Sequence, residues 1–246
     1  YVVDEWLNRI SIYDGNLDFG GRNLEQDNFL GKWGCSGVRE GEIAAPASLA
    51  FDHQDHLYIT EGENHRVSKF TKSGRFIMAF GYKGSGPGQF NRPWGVTIDP
   101  WGSVYVADWG NDRVQKFTSE GKYLAEFGVS GESYGELHMP SGVAVDSDGD
   151  VYVADWWNNK VEIYHGDGAH FATLIGDAKE MSRWGKSYLE NNIADQENRA
   201  LVRDFEPEFR FLMPTSIVVG SEGHVFVADS IRFRIQVYQK MRRAIE

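Results

Sequence analysis

Hydrophobic and polar positions alternate with a period of two along most of this chain, in short runs that recur. Five thirteen-residue segments align without gaps: YVVDEWLNRISIY from Tyr1, YITEGENHRVSKF from Tyr58, YVADWGNDRVQKF from Tyr105, YVADWWNNKVEIY from Tyr152 and FVADSIRFRIQVY from Phe226. In each, one alternating run leads to a polar tip and a second alternating run leads out, the pattern of a β-hairpin. The fourth column is acidic (Asp4, Glu61, Asp108, Asp155, Asp229) and the ninth basic (Arg9, Arg66, Arg113, Lys160, Arg234). The thirteenth is aromatic in every copy: Tyr13, Phe70, Phe117, Tyr164 and Tyr238.

Upstream of four copies lies a second block, PASLAFD from Pro46, PWGVTID from Pro93, PSGVAVD from Pro140 and PTSIVVG from Pro214. A turn such as DPWGS or DSDGD follows, where Asp and Gly supply the backbone angles of a tight hairpin. Downstream of the first four copies comes a short apolar run closed by glycine: FLGKWG, FIMAFG, YLAEFG and FATLIG. Each unit is therefore four short strands joined by turns, which is one blade of a β-propeller. Helical periodicity is absent from these units, which excludes an α-solenoid. The expected fold is all-β.

The order P-x-G-hydrophobic-x-hydrophobic-D, then VYVAD, then N-x-R-V, then an aromatic, resembles the NHL repeat, and the motif covers almost the whole chain. The resemblance implies a propeller of four-stranded blades, about five present here of six. The blades run approximately over 1–34 (partial), 35–81, 82–128, 129–176 and 211–246 (partial). The first copy lacks a first strand and the last lacks a fourth, the arrangement expected of a fragment of a six-bladed ring; the alternative, a five-bladed closure, would leave two three-stranded blades. NHL propellers include RNA-binding domains, ubiquitin-ligase substrate receptors, extracellular sensors and a few lyases, so the fold does not select the function.

Two segments break the repeat. One, within Asp14–Asn28, lengthens an edge loop of the first blade. The other occupies 177–210, where the proline spacing widens from Pro140 to Pro214; it is expected to be partly helical, with helix-forming residues over Asp195–Phe205 and any helix confined to roughly Asp177–Phe205. Insertions tend to fall on a functional rim, so the second is a candidate lid.

The net charge of −11 disfavours nucleic-acid and anionic-membrane binding, because neutralising phosphate needs a basic surface. A single cysteine, Cys35, excludes an intramolecular disulfide and a cysteine-based metal site. No apolar run approaches the ~20 residues that span a bilayer. Lactonase-like propellers hold a divalent ion with carboxylates and amides at the top of their inner strands. The matching positions here read Ala47, Trp94, Ser141 and Thr215, so no metal and no cofactor is expected. The acidic and basic columns recur in every blade and are expected to be structural, since a site is usually confined to one or two blades.

Positions that differ between blades are free to serve function. Trp94 stands where the other inner strands carry Ala47, Ser141 and Thr215, and His138 where they carry Ala44, Asn91 and Leu212. Trp109, Trp156 and Trp157 lie in hairpins of the same face, and Arg92 precedes Pro93 on it. These six residues form the candidate ligand site, a set of stacking surfaces for a small molecule, a carbohydrate or a peptide. The opposite face is expected to offer only Asp–Gly turns. The function expected is that of a binding or scaffold propeller, with a lyase or hydrolase acting in the central channel as the alternative and self-association through open blade edges as a further expectation.

Overall fold

The alternating runs become strands because each buries one face against the sheet before it and the other against the sheet after it. The structure is a computed structural model and describes residues 1–14, 29–177, 183–193, 196, 199, 201 and 209–240. Among these, the first sheet pairs β1 (Val2–Asp4), β2 (Arg9–Tyr13) and β3 (Phe29–Trp33). The second pairs β4 (Pro46–Phe51), β5 (His56–Glu61), β6 (Arg66–Thr71) and β7 (Phe76–Phe80). The third pairs β8 (Pro93–Ile98), β9 (Val104–Asp108), β10 (Arg113–Phe117) and β11 (Tyr123–Phe127). The fourth pairs β12 (Pro140–Val145), β13 (Val151–Asp155), β14 (Lys160–Tyr164) and β15 (His170–Leu174). The fifth pairs β16 (Pro214–Val219), β17 (His224–Asp229) and β18 (Arg234–Gln239).

Every sheet is an antiparallel meander, and the inner strands β4, β8, β12 and β16 stand side by side around an axis. The architecture is an all-β propeller of five blades, the complete ones four-stranded. Close approach at the axis explains the glycine of the inner strands: a Cβ at Gly95 would stand 2.7 Å from the Ser141 carbonyl oxygen of the next blade.

The core lies between blades. Tyr152, Ala154, Val161 and Ile163 of the fourth blade meet Ile217, Val225 and Val227 of the fifth, and the same arrangement repeats at each earlier junction. Each blade thus has a forward face, turned to the next, and a backward face turned to the previous one. Ile43, Phe90, Leu137 and Phe211, each three residues before an inner-strand proline, seal these junctions from the linkers.

The turns between first and second strands close as the Asp column predicts. One carboxylate oxygen of Asp52 accepts from the N–H groups of Gln54 and His56, Asp99 from Trp101 and Ser103, and Asp146 from Asp148 and Asp150. The negative charge is then neutralised by Lys69 at 3.0 Å from Asp52 and Lys116 at 3.7 Å from Asp99. The fourth blade carries Ile163 in that column, and its Asp146 takes Lys240 from the fifth blade at 2.6 Å instead. Lys240 also lies 2.8 Å from both Asp148 and Asp150.

An α-helix, α1 (Arg183–Glu190), stands within the 177–210 segment. It ends where the Asn191 side-chain amide donates to the Ser187 carbonyl and the Asn192 N–H to Leu189. Beyond it Ile193, Gln196 and Arg199 are also helical, with the Gln196 N–H donating to the Asn192 carbonyl, so these helical residues lie within 177–205, while most of Asp195–Phe205 lies outside the described residues. The Asp14–Asn28 loop, apart from Asp14, lies outside them too. No described helix is long and apolar enough to cross a membrane.

Candidate functional site

The hairpins between second and third strands, and the linkers entering each blade, open on one face. What fixes this face is the pair of charged columns. Glu61, Asp108, Asp155 and Asp229 are fully buried, and each accepts the N–H of the residue two places before its own inner-strand proline: Ala44, Asn91, His138 and Leu212. The basic partners stand at 3.0 Å (Arg66–Glu61 and Arg113–Asp108), 3.8 Å (Lys160–Asp155) and 2.7 Å (Arg234–Asp229). They donate to linker carbonyls as well, as Arg113 does to Gly86 and Gln89. Carboxylates enclosed in this way hold backbone and are closed to substrate, so the columns are structural.

Burial pushes the Asp155 carboxyl up to about 6, against hydrogen bonds from His138 and Asn158 that pull it down. Burial raises Asp108 as well. In the fourth blade Glu162 adds a second buried acid, 2.8 Å from Lys160 and 2.8 Å from the His170 ring.

The six candidate residues come together in two groups. In the third blade the Trp94 and Trp109 ring centroids are 6.2 Å apart, and the Arg92 guanidinium lies 6.0 Å from the Trp109 ring, at the outer limit of a cation–π contact. In the fourth, His138 meets Trp157 edge-on at 5.6 Å, and Trp157 meets Trp156 at 5.8 Å. Trp94, Trp109, Trp156 and His138 are half-buried, Arg92 is exposed, and Trp157 is 50% exposed. Packing therefore claims part of each tryptophan and leaves Trp157 most available. Trp94 also stands with Ala47, Ser141 and Thr215 at one end of an axial channel of about 290 Å³.

A third element had no visible motif. The eighth hairpin position is left-handed in every blade: Asn8, His65, Asp112, Asn159 and Phe233. In the first four its side chain accepts the N–H of the residue directly before the next blade's proline, which is left-handed as well: Ala45 at 2.7 Å, Arg92 at 3.1 Å, Met139 at 2.8 Å and Met213 at 2.7 Å. This clamp joins each blade to the next across the candidate face. His65, whose imidazole burial and the nearby Lys83 and Arg92 hold below the usual histidine range, accepts through Nδ1 and sets the backbone of Arg92. Asp112, in the hairpin of Trp109, reaches the second group, holding Met139 with one oxygen and standing 3.5 Å from His138 Nδ1 with the other. Asn, His and Asp share only an acceptor and a tolerance for positive φ, so the column reads as variable in sequence.

The opposite face is less bare than expected. A cavity of about 300 Å³ opens there, lined by Pro100, Asp146, Asp148, Val219, Gly220 and Lys240. It exists because the neighbouring turns of the fourth and fifth blades are spanned by the Lys240 side chain rather than packed together. Among the described residues, no group of three or more His, Cys, Asp or Glu side chains is placed to hold a metal ion.

The family model for the NHL repeat matches residues 90–117, 137–164 and 211–238, the first three strands of the third, fourth and fifth blades with the linker before each. No curated protein matches the sequence. Among solved structures, the chain is similar to virginiamycin B lyase from Staphylococcus aureus, with 13% identity, a TM-score of 0.56, and coverage of 97% of this chain and 65% of that one. A streptogramin B lyase aligns with 11% identity and a TM-score of 0.51, over 97% of this chain and 61% of that one. A protein of unknown function from Bacteroides thetaiotaomicron aligns with 18% identity and a TM-score of 0.53, over 79% of this chain and 47% of that one. The chain thus spans less than two thirds of the length of each, and the likeness is one of fold.

Proposed function

From the premise that this chain is an NHL-repeat β-propeller, we propose that it is a binding or scaffold module. Its ligand is taken on the face carrying Trp94, Trp109, Trp156, Trp157, Arg92 and His138. One observation carries this reading: the two aromatic groups, each confined to a single blade, lie on one face, with Asp112 of the third-blade hairpin 3.5 Å from His138 of the fourth. Repetition holds the blades together, while these departures from it supply stacking surfaces and one cation. The ligand class is a ring-bearing small molecule, a carbohydrate or a peptide, and the overall negative charge keeps nucleic acid and anionic membrane out of the proposal. The finer architectural reading is a six-bladed ring, with the 177–210 segment as a partly helical excursion of the same face.

The test is a titration with oligosaccharides and aromatic peptides followed by intrinsic tryptophan fluorescence. Trp94→Ala and Trp157→Ala are each expected to weaken binding roughly tenfold, about 1.4 kcal/mol. Affinity unchanged in both variants removes this face from consideration. A second reading, a lyase or hydrolase working in the axial channel, draws on that channel's volume, at the lower end of small-molecule sites. Turnover of a small molecule that survives both substitutions would favour it.

A further inference from the structure

The arginines of the basic column, Arg9, Arg66, Arg113 and Arg234, each pair with the acid of their own hairpin. Arg92 differs. It occupies the clamped position directly before the third-blade proline, where the other junctions carry Ala45, Met139 and Met213. Its backbone is left-handed, φ 57°, and the His65 imidazole holds it there by accepting the Arg92 N–H at 3.1 Å. The guanidinium is exposed, and no described carboxylate pairs with it. The Trp109 ring lies 6.0 Å from it.

A second cation stands nearby. Lys83 is exposed in the linker entering the third blade, likewise without a carboxylate partner among the described residues, and its charge reaches the same His65 ring. Burial, with the charges of Lys83 and Arg92, holds that imidazole below the usual histidine range. A neutral ring is what the clamp needs, because only an unprotonated Nδ1 accepts. In a chain of net charge −11, two cations without acidic partners make a local positive patch. Carboxylates bound it: Glu63 in the His65 hairpin and Asp112 in the Trp109 hairpin. The patch therefore has the extent of one anionic group and would repel a run of phosphates.

We propose that the third-blade half of the ligand face binds a carboxylate carried on a ring, with Arg92 pairing the carboxylate and Trp94 and Trp109 taking the ring. The inference rests on the binding-module reading and narrows its ligand class. A planar guanidinium can meet a carboxylate through two parallel hydrogen bonds, so Arg92 selects the anion by shape as well as by charge. The Trp94 and Trp109 rings stand 6.2 Å apart and are tilted by 35°, beside that guanidinium. In the fourth blade Trp156 has the Trp157 ring 5.8 Å away; in the third, Gly110 stands in the Trp157 column, so Trp109 has no such neighbour. A side chain is kept out of that column, because a Cβ on Gly110 would stand 2.5 Å from the Asn91 side-chain nitrogen. His65 is a positioning residue, setting the backbone from which the guanidinium extends. An acidic sugar and an aromatic acid share this chemistry.

The experiment is isothermal calorimetry with matched pairs of ligands: trigalacturonate against galactotriose, and phenylacetate against phenylacetamide. The charged member of at least one pair is expected to bind about tenfold more tightly, a margin that shrinks from about 0.05 to 0.5 M NaCl. Arg92→Gln should cut the margin to about twofold and leave the neutral member's affinity unchanged, with a smaller cut from Lys83→Gln. His65→Gly removes the acceptor and should lower the margin as well. His65→Asn supplies the acceptor used at Asn8 and Asn159 and should preserve it. A margin in the sugar pair alone assigns an acidic saccharide, one in the aryl pair alone an aromatic acid, and either supports the proposal. Equal affinity within both pairs, a margin that survives Arg92→Gln, or no binding of any of the four ligands overturns it. So does a single-stranded oligonucleotide that binds more tightly than both carboxylates and depends on Arg92. If both pairs bind equally and Trp94→Ala weakens all four ligands alike, the anion is wrong while the binding face stands.

Discussion

The fourth and fifth blades present equivalent columns to the space in front of them, and only the fourth has that space filled. Tyr152 is 3% exposed and Phe226 is 40%; Val161 is fully buried and Ile235 is 65% exposed. The strand registers and the acid–base pair are alike in both. What differs is the neighbour. A blade therefore folds its own strands locally but gains its core from the junction, so the same side chain has a different energetic value in different blades.

The sharpest test compares Tyr152→Ala with Phe226→Ala in urea unfolding. The first is expected to cost about 3–5 kcal/mol and the second less than about 1 kcal/mol. Equal costs would show that the junction is not where stability resides. Next in size is the charged column. Removing the Arg113 side chain strands the buried Asp108 carboxylate and should cost about 3 kcal/mol. Arg9→Ala, in the first blade, breaks a longer 3.4 Å pair between partly exposed groups and should cost at most about 1 kcal/mol.

A smaller difference depends on pH. Asp155 has a folded-state value of about 6, above its ordinary 3.8, so the folded state binds the extra proton between those values. The stability this contributes is complete below about pH 3.8 and is lost as the pH rises through about 6. Urea midpoints measured from pH 4 to 7 should carry this component in the parent and lose it in Asp155→Asn. A parent profile identical to the variant's would show that Lys160 neutralises the site fully. Smallest is Lys240→Ala, which removes the cation joining the fifth blade to the Asp146 turn and should cost about 1 kcal/mol. Hydrogen exchange should register it in β18 and leave β14 unchanged; equal acceleration in both strands would mean the two blades open together.

The repeat made strands, turns and charged columns legible, because each of those jobs needs one side-chain type at one spacing. The sealing positions Ile43, Phe90, Leu137 and Phe211 are equally regular, three residues before each proline, but they sit in linkers rather than in strands, where no alternation marks them as core. The clamp was hidden for a different reason: Asn8, His65, Asp112 and Asn159 do one job with three kinds of residue. Of the candidate site, sequence supplied the six residues and their common face. It did not reveal their division into two groups or the role of Asp112, which depend on ring contacts across hairpin and linker.

The clamp also bears on how such a protein can change. It grips the backbone N–H of Ala45, Arg92, Met139 and Met213 and asks nothing of their side chains, which accordingly range from Ala to Met to Arg. Four positions around one rim are thus exempt from the grammar of the repeat. New recognition can be written there one residue at a time, by mutation that leaves the joints between blades untouched.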